Sequence, residues 1–188
     1  MTILDQGRPA AGFILSEGNG NISRENMVVA RGVGACSPGQ VMRDGAINIV
    51  TTGDTHTSTT LDDIADIAGL IEGVTYAVAG ADIPADTTFV ANGTDSVVLS
   101  HAATGTTNDL AITITKAAGE LVKWRGTPDA ATAILIDGVH VAASVAAAVP
   151  VAVVAREAEV KGASLVYPDG KDAEVRAALA AAGIIVRD

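Results

Sequence analysis

Short apolar runs, several of which alternate between apolar and polar residues, dominate this chain, and clusters of Gly, Asn and Asp separate them. The runs occupy residues 26–30, 41–42, 75–78, 88–90, 96–100, 110–115, 120–124 and 133–136. Alternation with a period of two is typical of half-buried β-strands, and the clusters between the runs are typical of tight turns. The pattern predicts a mainly β protein of the β-rich α+β class.

The last part of the chain, residues 150–188, has a different order: strand, turn, helix, strand. Apolar residues at helical spacing predict a short helix over 173–182. Asp172 is expected to cap that helix, and Gly183 to end it in the left-handed conformation. The apolar residues 184–186 should then pair into a sheet.

Three further segments give weaker patterns. Residues 61–70 place Leu61 and Ile64 on one side of a helical turn. Residues 139–149 are mostly apolar and ambiguous, and their valines favour a strand. The glycine-rich residues 31–39 predict turns rather than a phosphate-binding loop, because no helix pattern follows them and the third glycine of such a loop is missing.

Charge divides the chain. The net charge is −10, and residues 51–115 hold nine of the 22 acidic residues and none of the 12 basic ones. The remainder is nearly neutral, so we expect 51–115 to be a separate acidic β domain. A strongly acidic chain is a poor ligand for nucleic-acid phosphates. Because no run of about 18 apolar residues occurs, no membrane-spanning helix is expected either.

Candidate chemistry is sparse. His56, His101 and His140 lie at no metal-binding spacing, and no serine or cysteine is placed as a nucleophile beside a base. The acidic residues between Asp62 and Asp66 lack the ligand alternation of a calcium loop. We therefore expect no catalytic residue, no metal and no cofactor, and conclude that the chain is not an enzyme.

Aromatic residues make up only 3 % of the chain, so a core of alanine and valine should gain stability from association. Trp124 is expected to be a core or interface residue. Residues 1–20 resemble an arm in which only Phe13, Ile14 and Leu15 are apolar. Two interpretations of the arm stay open: a frayed terminus, or a segment that orders on a partner.

Several segments, in this order, resemble the lambda-type head decoration proteins of tailed bacteriophages. At the front these are residues 13–20 (FILSEGNG), 23–25 (SRE) and 38–42 (PGQVM); later ones are 119–124 (GELVKW), 133–135 (AIL), 150–160 (PVAVVAREAEV), 165–166 (LV) and 177–187 (AALAAAGIIVR). Each is weak alone, and together they cover about two thirds of the chain.

Residues 51–115 are the departure from this family. They resemble a small β module that recurs in phage structural proteins, on residues 69–74, 80–87 and 97–100. The resemblance thus implies three parts: a capsid-binding arm (1–20), a discontinuous decoration core (21–50 plus 116–188) and an inserted acidic β domain (51–115).

The family resemblance implies a capsid stabiliser that binds the outer surface of the expanded head as homotrimers and clamps the major capsid protein. The arm residues implied in capsid binding are Phe13, Ile14, Leu15 and Ser16. The candidates for the trimer interface or the core are Trp124, Val153, Arg156, Leu165, Tyr167 and Ile185. An alternative is a tail or fibre protein whose acidic module binds a host surface ligand.

Overall fold

The computed structural model of the protein describes residues 11–17, 23–142 and 147–188. These residues form sixteen strands and one α-helix, so the mainly β prediction is confirmed. The strands are β1 (Ile14–Glu17), β2 (Arg24–Val29), β3 (Gly34–Cys36), β4 (Val41–Asp44), β5 (Ile47–Thr55), β6 (Thr60–Asp62), β7 (Thr75–Gly80), β8 (Thr88–Val90), β9 (Val97–Val98), β10 (Thr107–Lys116), β11 (Glu120–Lys123), β12 (Ala133–Leu135), β13 (Val139–Val141), β14 (Val149–Val154), β15 (Ala158–Lys161) and β16 (Ile184–Arg187). The helix α1 is Asp172–Ala181.

Five strands close into a first barrel, in the order β11-β2-β14-β12-β4. On β12, Leu135 belongs to the core inside this barrel, whereas its neighbour Ile134 belongs to a second core outside it. Val153 and Val154 divide in the same way on β14. Successive side chains of a strand point to opposite faces, and both faces are covered here. The apolar run 133–136 therefore does not alternate with polar residues.

The outer face of the first barrel is covered by β1 and by the C-terminal elements of the chain. β1, β15 and β16 form a three-stranded sheet, and α1 packs beside it with Val175 and Leu179 buried. Gly183 has φ +75°, as expected for a left-handed helix end, and Ile184 beyond it is buried. The predicted helix, its end and the final strand are confirmed.

The predicted cap of α1 is wrong. Lys171 is the N-cap residue and gives no side-chain cap, while Asp172 lies in the first helical turn. The Asp172 carboxylate instead accepts hydrogen bonds from the Tyr167 hydroxyl (2.8 Å) and from Arg176 Nε (2.9 Å). Its negative charge in the first turn still interacts favourably with the positive end of the helix dipole.

The strands β5 to β10 form a six-stranded sheet in the order β8-β7-β10-β5-β6-β9. A single bridge between Phe89 of β8 and Leu99, just after β9, links the two outer strands, so the sheet curls into a barrel-like unit that we call the second barrel. The Phe89 ring lies 5.9 Å from the Tyr76 ring in the interior. The Tyr76 hydroxyl accepts a hydrogen bond from the Ile71 amide at 2.8 Å, so Tyr76 also fixes the loop between β6 and β7.

Two long strands lead the chain into and out of the second barrel. β5 and β10 pair from Ile47 opposite Lys116 to Thr55 opposite Thr107. The β structure thus begins and ends a few residues outside the predicted bounds 51–115. Division of the chain into an arm, a discontinuous core and an inserted domain remains a proposal.

Residues 61–70 do not form the predicted helical turn. Leu61 lies in β6, and the chain after it is irregular. Asp63 has φ +50°, which a right-handed helix does not allow, and the Ile64 amide donates to the Asp95 carbonyl (3.1 Å) in another segment. Leu61 and Ile64 are both buried in the interior of the second barrel, although they do not lie on a helix.

Residues 139–149, predicted as one strand, contain β13 and the start of β14, with 143–146 outside the described residues. β13 pairs with the short strand β3. The glycine-rich loop 31–39 does turn: Gly32, Gly34 and Gly39 all have φ near +80°.

Candidate interaction surface

The described residues contain no group of three His, Cys, Asp or Glu side chains that could hold a metal ion. His56 pairs with Asp62 at 2.9 Å on the surface of the second barrel. Among the same residues, no helix has the length and apolar character needed to cross a bilayer.

The N-terminal segment is fixed to the body of the protein from residue 11 onward. The Ala11 amide donates to the Ile136 carbonyl (3.2 Å), and β1 pairs antiparallel with β15. Phe13 is only 2 % exposed and lies in the outer core with α1. In this conformation its ring is a core residue of its own chain.

Leu15 lies at an irregularity of β1. The register with β15 shifts between Ile14 and Ser16, so Leu15 is an additional residue, as in a β-bulge. Its side chain is 53 % exposed. β1 is an edge strand of its sheet, and a bulge there turns a large apolar side chain toward solvent.

An ion pair fixes the end of β1. The Glu17 carboxylate accepts hydrogen bonds from Arg24 (2.8 and 2.9 Å) and from the Ser23 hydroxyl (2.8 Å). The hydrogen bond from Arg24 is the main reason that the pKa of Glu17 lies below its usual value. These contacts join the end of β1 to the start of β2.

A row of register partners crosses the three-stranded sheet. Ser16 lies opposite Glu159, and Glu159 lies opposite Ile185. Ile185 is 48 % exposed, and Arg187 beside it pairs with Glu159 at 2.6 Å. This face thus presents Leu15 and Ile185 around one exposed ion pair. We call the face formed by Leu15, Ser16, Glu159, Ile185 and Arg187 the β1 face.

The other predicted residues divide into core and surface. Trp124, Val153 and Leu165 are buried, and the Trp124 indole donates to the Asp129 carbonyl at 2.7 Å. Arg156 lies on the surface, 2.5 Å from Glu25. Tyr167 is half-buried, and its hydrogen bond to Asp172 is the main cause of its raised pKa.

Sequence reasoning missed a charged network between the barrels. The side chain of Arg43 on β4 is 5 % exposed, and its Nε lies 3.0 Å from Asp129 Oδ2, off line for a hydrogen bond. Burial lowers the pKa of this guanidinium, and Asp129 opposes the shift. Arg125 also contacts Asp129 (3.4 Å) and donates to the Ala68 carbonyl (3.0 Å) of the second barrel.

Comparison with known families then identifies the chain. A sequence model of one family matches residues 3–184, a span that includes both barrels. The chain belongs to this family, bacteriophage lambda head decoration protein D, and is thus a structural protein of a phage capsid. The match confirms the resemblance drawn from the sequence. Comparisons with curated proteins and with solved structures gave no significant match.

Proposed function

We propose that the protein binds the outer surface of the expanded phage head as trimers and clamps neighbouring subunits of the major capsid protein. The observation that carries the proposal is the β1 face, on which Leu15 and Ile185 are about half exposed. Large apolar side chains grouped on an otherwise polar surface mark sites of protein association.

The arm residues take different roles in this proposal. Phe13 holds β1 on the body of the protein, whereas Leu15 and Ser16 contact the capsid. Ile14, half-buried against the outer core, supports them. A surface built on a fixed strand loses little conformational freedom on binding, so more of the contact energy appears as affinity.

Trimer formation brings identical capsid contacts together. Each single contact can be weak, because linked copies raise the effective concentration of the next contact. Trp124, Val153 and Leu165 are buried within one chain and act through packing. A second chain can reach Arg156 and Tyr167, which lie nearer the surface.

The second barrel projects away from the shell. Its segment carries nine acidic residues and no basic ones, so an acidic capsid face would repel it. Binding through the nearly neutral remainder of the chain avoids this cost.

Cosedimentation with expanded empty heads tests the proposal, with unexpanded heads, purified tails and host cells as comparison samples. We expect the protein to pellet with expanded heads only. Pelleting with tails or cells instead would support the alternative, a host-binding tail or fibre protein. Sedimentation velocity of the free protein measures its oligomeric state in the same preparation.

Substitutions locate the contact. Leu15→Asp and Ile185→Asp should abolish binding to expanded heads, whereas Val98→Asp should not. Val98 is a matched control, because it is also an exposed branched aliphatic side chain (72 %) but lies on the second barrel. Equal binding by all three variants would exclude the β1 face.

A further inference from the structure

The first half of β2 has a neighbouring strand on one side only. β14 pairs with all six residues of β2, from Arg24 to Val29. β11 pairs only with Val28 and Val29, because it begins at Glu120, opposite Val28. The first barrel therefore has a gap in its wall beside residues 24–27.

The backbone of Asn26 faces this gap. Opposed residues in an antiparallel pair exchange hydrogen bonds at every second position. The Ala155 amide donates to the Ser23 carbonyl (2.8 Å), which sets the bonded positions at Ser23, Glu25 and Met27. Ala152, opposite Asn26, accepts from the Ile136 amide (3.1 Å) on its other side.

Both backbone groups of Asn26 thus point away from β14, and no strand of the described chain meets them. Pro150 agrees with this alternation. It lies opposite Val28, at a position where the lack of an N–H group removes no bond between the two strands. Further along β2 the outward side is covered, since Val28 lies opposite Glu120 of β11 and the Ala30 amide donates to the Leu121 carbonyl at 2.9 Å.

A groove of about 440 Å³ runs along this open edge. Met27, Leu121 and Pro150 give it apolar walls, while Glu25 and Asp44 are its charged residues. No Lys or Arg lines it among the described residues. Asp44 is held rigid, because its two oxygens accept hydrogen bonds from the amides of Ala46 (2.7 Å) and Gly119 (3.1 Å).

We propose that an extended segment of the capsid protein, carrying a Lys or Arg side chain, adds a strand to β2 in this groove. Unpaired backbone groups beside an apolar groove are the features by which a sheet edge binds an extended peptide. Glu25 is already paired with Arg156 at 2.5 Å, so the Asp44 carboxylate is the charge that favours a cationic side chain over an anionic one. This inference rests on the proposed capsid binding and names a second contact for it, separate from the β1 face.

Asn26→Pro tests the edge directly. Proline removes the N–H that faces the groove and leaves the bonds between β2 and β14 in place, as at edge positions generally. Asn26→Ala is the matched control, because it removes the side chain and keeps the N–H. Affinity for expanded heads should fall about tenfold for Asn26→Pro, from the loss of one backbone hydrogen bond, and less than about twofold for Asn26→Ala. Thermal unfolding confirms that both variants fold.

A photo-crosslinking amino acid at position 26 identifies the occupant on the assembled head. A crosslink to a capsid-protein peptide that contains Lys or Arg supports the inference. A crosslink to residues 1–10 of the same chain, or to a second copy, overturns it, as does equal binding of Asn26→Pro and Asn26→Ala. If the wild-type protein does not bind heads, both the proposed function and this inference fail; if it binds and Asn26→Pro binds equally, only this inference fails.

Discussion

Gly32 and Gly73 meet backbone to backbone where the two barrels join: a Cβ atom added to Gly32 would lie 2.1 Å from the carbonyl oxygen of Gly73. Both residues have φ near +80°. No side chain fits between them, so the backbones of the two barrels are in direct contact here. Arg125, bonded to the Ala68 carbonyl, holds the same junction.

Gly32→Ala should lower the free energy of unfolding by about 3 kcal/mol or more, because the methyl group adds overpacking to backbone strain. Gly34→Ala is the control. Gly34 has a similar φ (+78°) but nothing within 4 Å of an added Cβ, so only about 1 kcal/mol of strain is expected. Denaturant unfolding measures both. Equal losses in the two variants would mean that the junction is open in solution.

Asp129→Asn should also destabilise the protein, by about 3 kcal/mol, because it leaves the buried guanidinium of Arg43 without a counter-ion. The substitution keeps the backbone carbonyl that accepts from Trp124. Glu159→Gln removes an exposed ion pair with Arg187 and should cost less than about 1 kcal/mol. The same denaturant titration compares the two, and a loss below that of Glu159→Gln would contradict the role assigned to Asp129.

Acid sensitivity should depend on Glu174. Its carboxylate accepts hydrogen bonds from Lys171 Nζ (2.7 Å) and the Thr127 amide (2.8 Å), which lower its pKa from the ordinary 4.5 to about 2. A lowered folded-state pKa stabilises the protein above pH 4.5, and this contribution is lost as the pH falls toward 2. Glu174→Gln should therefore show a smaller fall in Tm across that range than the wild type.

The control for this pH series is Glu72→Gln, an exposed residue in no ion pair within the described chain. It should keep the full wild-type fall in Tm between pH 4.5 and pH 2. If Glu174→Gln and Glu72→Gln gave the same curve as the wild type, the contacts of Glu174 with Lys171 and Thr127 would not persist in solution.

Two substitutions in β1 should separate folding from surface contact. Phe13→Ala removes a ring that is 2 % exposed and should cost about 3 kcal/mol in unfolding free energy. Leu15→Ala, at a 53 % exposed side chain, should cost less than about 1 kcal/mol. Thermal unfolding checks the pair. A small effect of Phe13→Ala would show that β1 detaches from the body in solution.

The sequence predicts the local elements well where one rule decides the outcome. Alternation of apolar and polar residues predicts many of the strands, because a half-buried strand places successive side chains on opposite faces. Gly183 predicts the helix end, because few other residues accept φ near +75°. Residues 61–70 were misread because Leu61 and Ile64 have the spacing of a helix face. Their backbone bonds go to other segments, which spacing alone does not reveal.

The candidate surfaces were only partly predictable. The apolar residues of the arm pointed to Leu15, but burial of Phe13 depends on α1 and β15, which lie far away in the sequence. The open edge at Asn26 depends on where β11 begins relative to β2. The Gly32–Gly73 contact depends on how the two barrels meet. Such features follow from strand pairing between distant residues, for which a single sequence carries no periodic signal.

The bridge between Phe89 and Leu99 has a consequence for a particle that displays many copies of this protein. Unpaired strand edges on neighbouring particles can pair with one another and cause aggregation. In the second barrel this bridge joins the two outermost strands, and the surrounding segment is strongly acidic. If the protein coats the outside of the head as proposed, these barrels would present neither an unpaired strand edge nor an attractive charge to the next head, and the coat would keep virions apart in a crowded lysate.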